Sequence, residues 1–244
     1  MEWREQDGVR WLEADLPRAR AAFSTRIGGA SEPPYEALNV AIMTGDERER
    51  VRENRQRLAA ALERDPDGVV MGRQVHGAEL REHRAAQEPK VYAEVARSPE
   101  EVDAHSTGNA ELTPLVMVAD CLPVALSGPG GVAMAHCGWR GLAGGIVAEA
   151  ASAVGAEAAV VGPGIGPCCY EVGEEVLAAF DDLDGVAQGR MLDLTAVARS
   201  LLARSGVTAV ESADVCTRCN PDLFYSHRRD GERTGRQAGL VWMD

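Results

Sequence analysis

The stretch TPLVMVADCLPVAL (113–126), followed by SGPGG and then VAMAH (132–136), constrains this chain more than any other feature. A near-continuous apolar run fits a strand covered on both faces. The Gly/Pro cluster at 127–131 is a turn signal. Together they predict two antiparallel strands in the middle of a buried sheet. A turn centred near Gly128–Pro129 sets Cys121 opposite His136 or Cys137. Opposed residues in such a pair have Cα atoms roughly 4.5–5.5 Å apart. A thiolate sulfur and an imidazole nitrogen placed that way can reach one metal ion at roughly 2.0–2.3 Å. The alternative is a buried cysteine beside a hydrogen-bonded histidine.

Around this hairpin the chain alternates strand-like and helix-like segments. Further strands are predicted over 20–24, 69–75, 158–161, 207–215 and 239–242, with a Gly-rich turn at Gly28–Gly29. Helices are predicted over about 47–64 with Asp46 as N-cap, over 141–154, over 174–180, and over 195–204 capped by Asp193. Residues 87–98 are weakly patterned and read as an irregular excursion. No G-x-G-x-x-G links a strand to a helix, which disfavours a dinucleotide fold. GPGIGP (162–167) fits a shaped loop better, because of its two prolines. Strands and helices mixed in this way predict one α/β (α+β) domain over residues 1–244, with mixed sheets flanked by helices.

Charge narrows the partners. Lys and Arg number 25 against 38 Asp and Glu, a formal charge of −13. An acidic surface repels nucleic-acid backbones and anionic lipid, so neither nucleic acid nor membrane is an expected partner. Lys90 is the only lysine, which leaves binding of a small anion to arginine. The first residues show no basic segment followed by an apolar run, and no apolar stretch is long enough to span a bilayer. The chain is therefore expected in the cytoplasm, with its six cysteines as thiols, metal ligands or small buried hydrophobes. Oligomeric state is not fixed by the sequence.

His76, in GRQVHG, follows a predicted strand, a common place for functional groups. With Cys121 and His136 it would make an open three-ligand site that leaves a fourth position for water or substrate. Taken alone, it reads more naturally as a hydrogen-bonded loop histidine. Asp103 and Asp120 are acidic candidates to support the ligands or move a proton, against the plainer reading of turn-making and solvation.

The motifs FSTRIGG (23–29), GRQVHG (72–77), VDAHST (102–107), VADCLPV (118–124), AHCGWRGL (135–142), GPGIGPCCYEVG (162–173) and the C-terminal SHRRDGERTGRQAG occur in that order. In this the chain resembles the YfiH-type family, also called the laccase-domain or multicopper polyphenol oxidase family, from about Ala22 onward. The resemblance implies a metal, zinc or alternatively copper, on His76, Cys121 and His136. It implies phosphorolysis of purine nucleosides such as adenosine, inosine and methylthioadenosine, with adenosine deamination and laccase-like phenol oxidation as further activities of the family. The chain's five histidines, at 76, 83, 105, 136 and 227, are too few for a blue-copper plus trinuclear set. The catalytic residues would be Cys121, His136 and Asp103, the last protonating the departing base. Arg26, Arg73, Arg140 and Arg229 lie in matching motifs as candidate phosphate ligands, with at least one expected to be structural. Asn39 is a candidate ribose or phosphate contact, and Cys168 and Cys169 are expected to line the pocket.

Two features depart from the family pattern. His105 replaces an aliphatic residue and is expected as a surface substitution rather than an extra ligand. In CTRC (216–219), Cys219 is less expected than Cys216, and without a second C-x-x-C a second structural zinc is not expected. A Cys121–His136 hydrolase without metal, a copper oxidase and a zinc-stabilised interaction module are the competing functions.

Overall fold

Two six-stranded sheets are packed face to face and enclosed by helices, in a computed structural model describing residues 1–96 and 100–244. In chain order the strands are β1 (Glu2–Gln6), β2 (Val9–Leu16), β3 (Ala19–Ser24), β4 (Val69–Val70), β5 (Leu80–His83), β6 (Ala104–Thr107) and β7 (Thr113–Val118). They continue with β8 (Leu122–Gly128), β9 (Gly131–Cys137), β10 (Ala158–Val161), the short pair β11 (Ala187–Gln188) and β12 (Met191–Leu192), then β13 (Ala209–Ser212) and β14 (Gln237–Met243). The helices are α1 (Arg48–Ala61), α2 (Trp139–Ala143), α3 (Ile146–Val154), α4 (Glu174–Ala178), α5 (Leu194–Arg204) and α6 (His227–Asp230). The first sheet runs β1-β2-β3-β14-β7-β4 and the second β13-β10-β8-β9-β6-β5. Both mix parallel and antiparallel pairs.

Strand alternation builds the layers. Leu122, Val124 and Leu126 of β8 face α3 and α5, while Ala125 turns to the other sheet with Met134 and Val132. Val116 and Val118 of β7 meet that inner layer, and Leu115 faces the opposite way, toward Leu58 of α1. The order of layers is helix, sheet, sheet, helix. The sheets approach closely: a Cβ on Gly239 would lie 2.6 Å from the Pro123 side chain.

Several expected elements differ from the observed ones. The run 113–126 is two strands in different sheets, because the chain turns out of one ladder at Asp120 (φ +90°) and enters the other at Leu122. The predicted helix 141–154 is two helices, α2 and α3, parted by Gly144–Gly145, with Gly145 left-handed. Asp46 does not cap α1, which starts from Glu47. Its carboxylate instead accepts from Ser31 Oγ and lies 2.9 Å from Asn39 Nδ2. The strand over 69–75 shrinks to two residues. Hairpin β1–β2 escaped prediction although Asp7–Gly8, both at positive φ, is a strong hairpin signal. Residues 87–96 form bends and turns as expected; 97 and 98 lie outside the described residues.

His105 is a correction. It is buried in β6, with its Nδ1 3.0 Å from Nε2 of His83. Burial lowers His83 to about 4, with Arg81 adding to it. Burial lowers His105 to about 3, helped by His83 and Arg81 and opposed by Asp103. Both rings are therefore neutral in the native state but take up protons near pH 6.5 once unfolded. The contribution of this pair to stability is full well above pH 6.5 and is lost progressively as pH drops from 6.5 through 4 toward 3. Urea midpoints measured between pH 7 and 4 should fall less steeply in His105→Leu than in the parent; equal slopes would refute this account.

Candidate metal centre and its cavity

Cys121 lies one residue before β8, whose register pairs Leu122 with Cys137 and Pro123 with His136. Extended by one residue, that register sets Cys121 opposite Gly138, one place past Cys137 and two past His136, at the point where the chain passes between sheets. His136 stands on β9, inside the second sheet and almost fully buried. His76 comes from the loop after β4, at φ +61°. A ligand atom from each of these three residues lies within 4.8 Å of the other two. The rings of His76 and His136 meet edge to face, with centroids 4.8 Å apart. Gly138 permits this crowding, since a Cβ there would sit 3.1 Å from both Cys121 Sγ and His76 Cδ2.

Asp103 organises the group without facing solvent. Its Oδ1 lies 2.7 Å from Nδ1 of His136 and accepts the His76 amide at 3.0 Å. Its Oδ2 accepts the Val75 and Gly77 amides at 3.0 and 2.8 Å. Burial alone would raise its pKa, but the bonds from His136, Val75 and Gly77 prevail and hold it below the usual carboxylate range. With Nδ1 of His136 engaged, Nε2 is the ring nitrogen left to turn toward Cys121. Burial opposes charge on Cys121, yet His136 and His76 overcome it and bring the thiol down to about 6. His136 moves the opposite way: burial opposes its charge, and Cys121 and Asp103 outweigh the burial. Thiolate and imidazole in one pocket form a donor set for a borderline-soft divalent ion. A histidine ligand braced at its other nitrogen by a carboxylate is the usual support for such an ion.

The group opens on a cavity of about 430 Å³. Its apolar wall includes Met43, Met71 and Met117, and its rim carries Trp139, Tyr170 and several arginines. Arg73 and Arg140 line it as anticipated, although Arg73 is also paired with Glu101. The guanidinium of Arg140 lies over the Trp139 ring, 4.4 Å from its centroid. His227, Arg228 and Arg236 also line the cavity, residues that motif matching did not single out. Burial lowers the pKa of Arg236, against the pull of Cys121 and Asp120. The SHRRDGERTGRQAG motif was the available signal, but it does not tell which of its arginines turns inward.

Five anticipated contacts lie elsewhere. Asn39 is fully buried and committed: its Oδ1 accepts the Ala41 and Arg236 amides. Arg26 donates to the Glu36 and Pro221 carbonyls and covers Tyr225. Arg229 donates to the Phe224 and Thr217 carbonyls and to Asp230. All three hold loops together and do not line the cavity. Cys168 and Cys169 are outside it as well and meet Cys216 and Cys219 in a second cluster. Asp120, also at the cavity, accepts from Thr217 Oγ1 at 2.6 Å and from the Arg228 amide at 2.6 Å.

Fold and site together define a laccase-domain architecture with a His-Cys-His metal-binding group. Residues 20–244 match the family described as multi-copper polyphenol oxidoreductase laccase, and the chain belongs to it. Purine nucleoside phosphorylase YfiH of Escherichia coli is 38% identical over 237 residues, covering 91% of this chain and 93% of its own. Purine nucleoside phosphorylase PA4543 of Pseudomonas aeruginosa is 38% identical over 252 residues, covering 96% and 98%. The crystal structure of YlmD from Geobacillus stearothermophilus superposes with a TM-score of 0.86 at 32% identity, covering 98% of this chain and 97% of that one.

Asp103→Asn keeps one acceptor oxygen and removes the charge behind His136. It should weaken metal binding at His76–Cys121–His136 by about 10–100-fold. Competition with a chromophoric chelator measures this, and unchanged affinity would remove Asp103 from its supporting role.

Proposed function

We propose that this chain is a zinc-dependent purine nucleoside phosphorylase. It would act on adenosine, inosine and methylthioadenosine, releasing the free base and a pentose 1-phosphate. The observation that carries this reading is the His76–Cys121–His136 group opening on an arginine-rimmed cavity, in a chain 38% identical over nearly its whole length to proteins named for that activity. Two histidines and one thiolate suit zinc and leave a fourth position open. When bound, the metal supplies a Lewis acid that polarises an oxygen.

The chain's own residues supply the rest. Arg140 offers a guanidinium fork for phosphate, and Arg228 and Arg236, whose Nη1 groups already donate to the Glu171 carbonyl and to the Thr234 and Gly235 carbonyls, have their remaining nitrogens for it. The methionine wall accepts a flat base and adapts to its substituents, which fits a range of purines. Asp103 positions His136 and the His76 turn. Its full burial and lowered pKa make it a poor donor to a departing base, so leaving-group protonation falls to a group on the cavity surface.

A second reading has its own support. Cys121 drawn down beside His136 also resembles the thiolate–imidazolium pair of a cysteine hydrolase. Copper in the same donors, giving a phenol oxidase, and adenosine deamination are the remaining alternatives.

The test is base release from the three nucleosides with and without phosphate, repeated after chelation and zinc return. Phosphate-dependent release lost on chelation is the expected result. Arg140→Ala should raise the KM for phosphate about 10–100-fold, as for loss of a charged hydrogen bond, with zinc content unchanged. Release that ignores both phosphate and chelator would establish the hydrolase. Inosine formed from adenosine would establish deamination. Oxygen-consuming phenol turnover after copper loading, with no nucleoside cleavage, would overturn the proposal.

A further inference from the structure

A second cluster of soft ligands lies away from the first. Cys168 and Cys169 sit on the loop after β10, and Cys216 and Cys219 follow β13. Their four sulfurs all lie within 4.8 Å of one another. Cys219 Sγ is 3.6 Å from Cys168 Sγ and 3.4 Å from Cys169 Sγ. Four sulfurs at about 2.3 Å around a tetrahedral ion stand about 3.8 Å apart, whereas a disulfide holds two sulfurs near 2.05 Å. The spacing is that of a shared ion rather than of a covalent pair.

Three further observations fit this spacing. The Gly166 amide donates to Cys216 Sγ at 3.2 Å, the kind of bond that supports a metal-bound thiolate. Arg218, between the two cysteines of CTRC, interacts with Cys169 and supplies positive charge beside what would be a doubly negative tetrathiolate centre. Cys168 and Cys219 are exposed, which gives an ion its entry path. The adjacent pair Cys168–Cys169 takes the place of the missing second C-x-x-C.

We infer that Cys168, Cys169, Cys216 and Cys219 bind a second, structural zinc ion, distinct from the one proposed at His76–Cys121–His136. Binding turns four thiols into thiolates and releases their protons. The ion pins two segments already joined by the bond from the Thr217 amide to the Gly164 carbonyl. One segment presents Ile165 and Tyr170 to the cavity, and the other presents Thr217 to Asp120. The second ion thus fixes one wall of the cavity without touching its contents.

The test is elemental analysis of protein purified under reductant from zinc-supplied cells. The parent should carry two zinc ions per chain, and Cys216→Ser/Cys219→Ser one. His76→Ala/Cys121→Ala should also carry one, held by the intact cluster. In that variant a thiol reagent should reach the four cluster cysteines only after a chelator has removed this zinc. This measurement does not require the cysteine variants to fold. A zinc-free His76→Ala/Cys121→Ala protein, immediate reaction of all four thiols, or a disulfide among them in peptide maps would overturn the inference. Failure of the first site reads differently: the parent then holds one zinc that survives His76→Ala/Cys121→Ala.

Discussion

The fold depends on how one apolar segment leaves one hydrogen-bond ladder and enters another within three residues. Val118 closes the first sheet's share of that segment and Leu122 opens the second's. A backbone doing this inside the protein must find partners for its displaced polar groups. The Asp120 carbonyl accepts the Ile165 amide at 2.8 Å, and its carboxylate is taken up by Thr217 and Arg228. The left-handed turn at Asp120 is therefore held from three distant segments. Cys121 is the next residue, so its sulfur stands at the seam between the layers rather than within either sheet.

Asp103 meets a second constraint, the placement of two ring ligands from unlike elements. His136 is fixed by a strand, but His76 comes from a loop in a disfavoured backbone region. One buried carboxylate fixes both, orienting the His136 ring and accepting three successive amides of the loop. A carboxylate so surrounded stays charged in the interior because every lone-pair direction is used.

Much of this was legible in the sequence, and the gaps have physical causes. Alternation and turn residues disclose the mixed α/β class, since burial imposes period two on strands wherever they lie. They cannot disclose the break at Asp120, because a strand covered on both faces has the same apolar signature on either side of the seam. His76, Cys121 and His136 were within reach because a strand end and a hairpin limit where their side chains can go. Arg26, Arg229 and Asn39 share motifs with cavity residues but face the framework. Direction is decided by loop carbonyls such as those of Pro221 and Phe224, which no spacing rule encodes. His105 is polar and reads as exposed; its register partner on β5 is Arg81, and it is His83, two residues further along that strand, that meets the buried ring. The four-cysteine cluster joins residues 168 and 219, a separation at which sequence gives no geometry.

The place of β14 has a consequence for synthesis on the ribosome. This strand lies between β3 and β7 in the middle of the first sheet, yet it follows every other described element in the chain. Until residues 237–243 emerge, a nascent chain carries two apolar strand edges with nothing between them. Such edges invite pairing with other chains. The second sheet has no such delay, since its last strand, β13, lies at an edge. The sheet bearing His136 can therefore form first during translation, while the cavity, which needs Arg236 beside it, closes only once that segment has emerged.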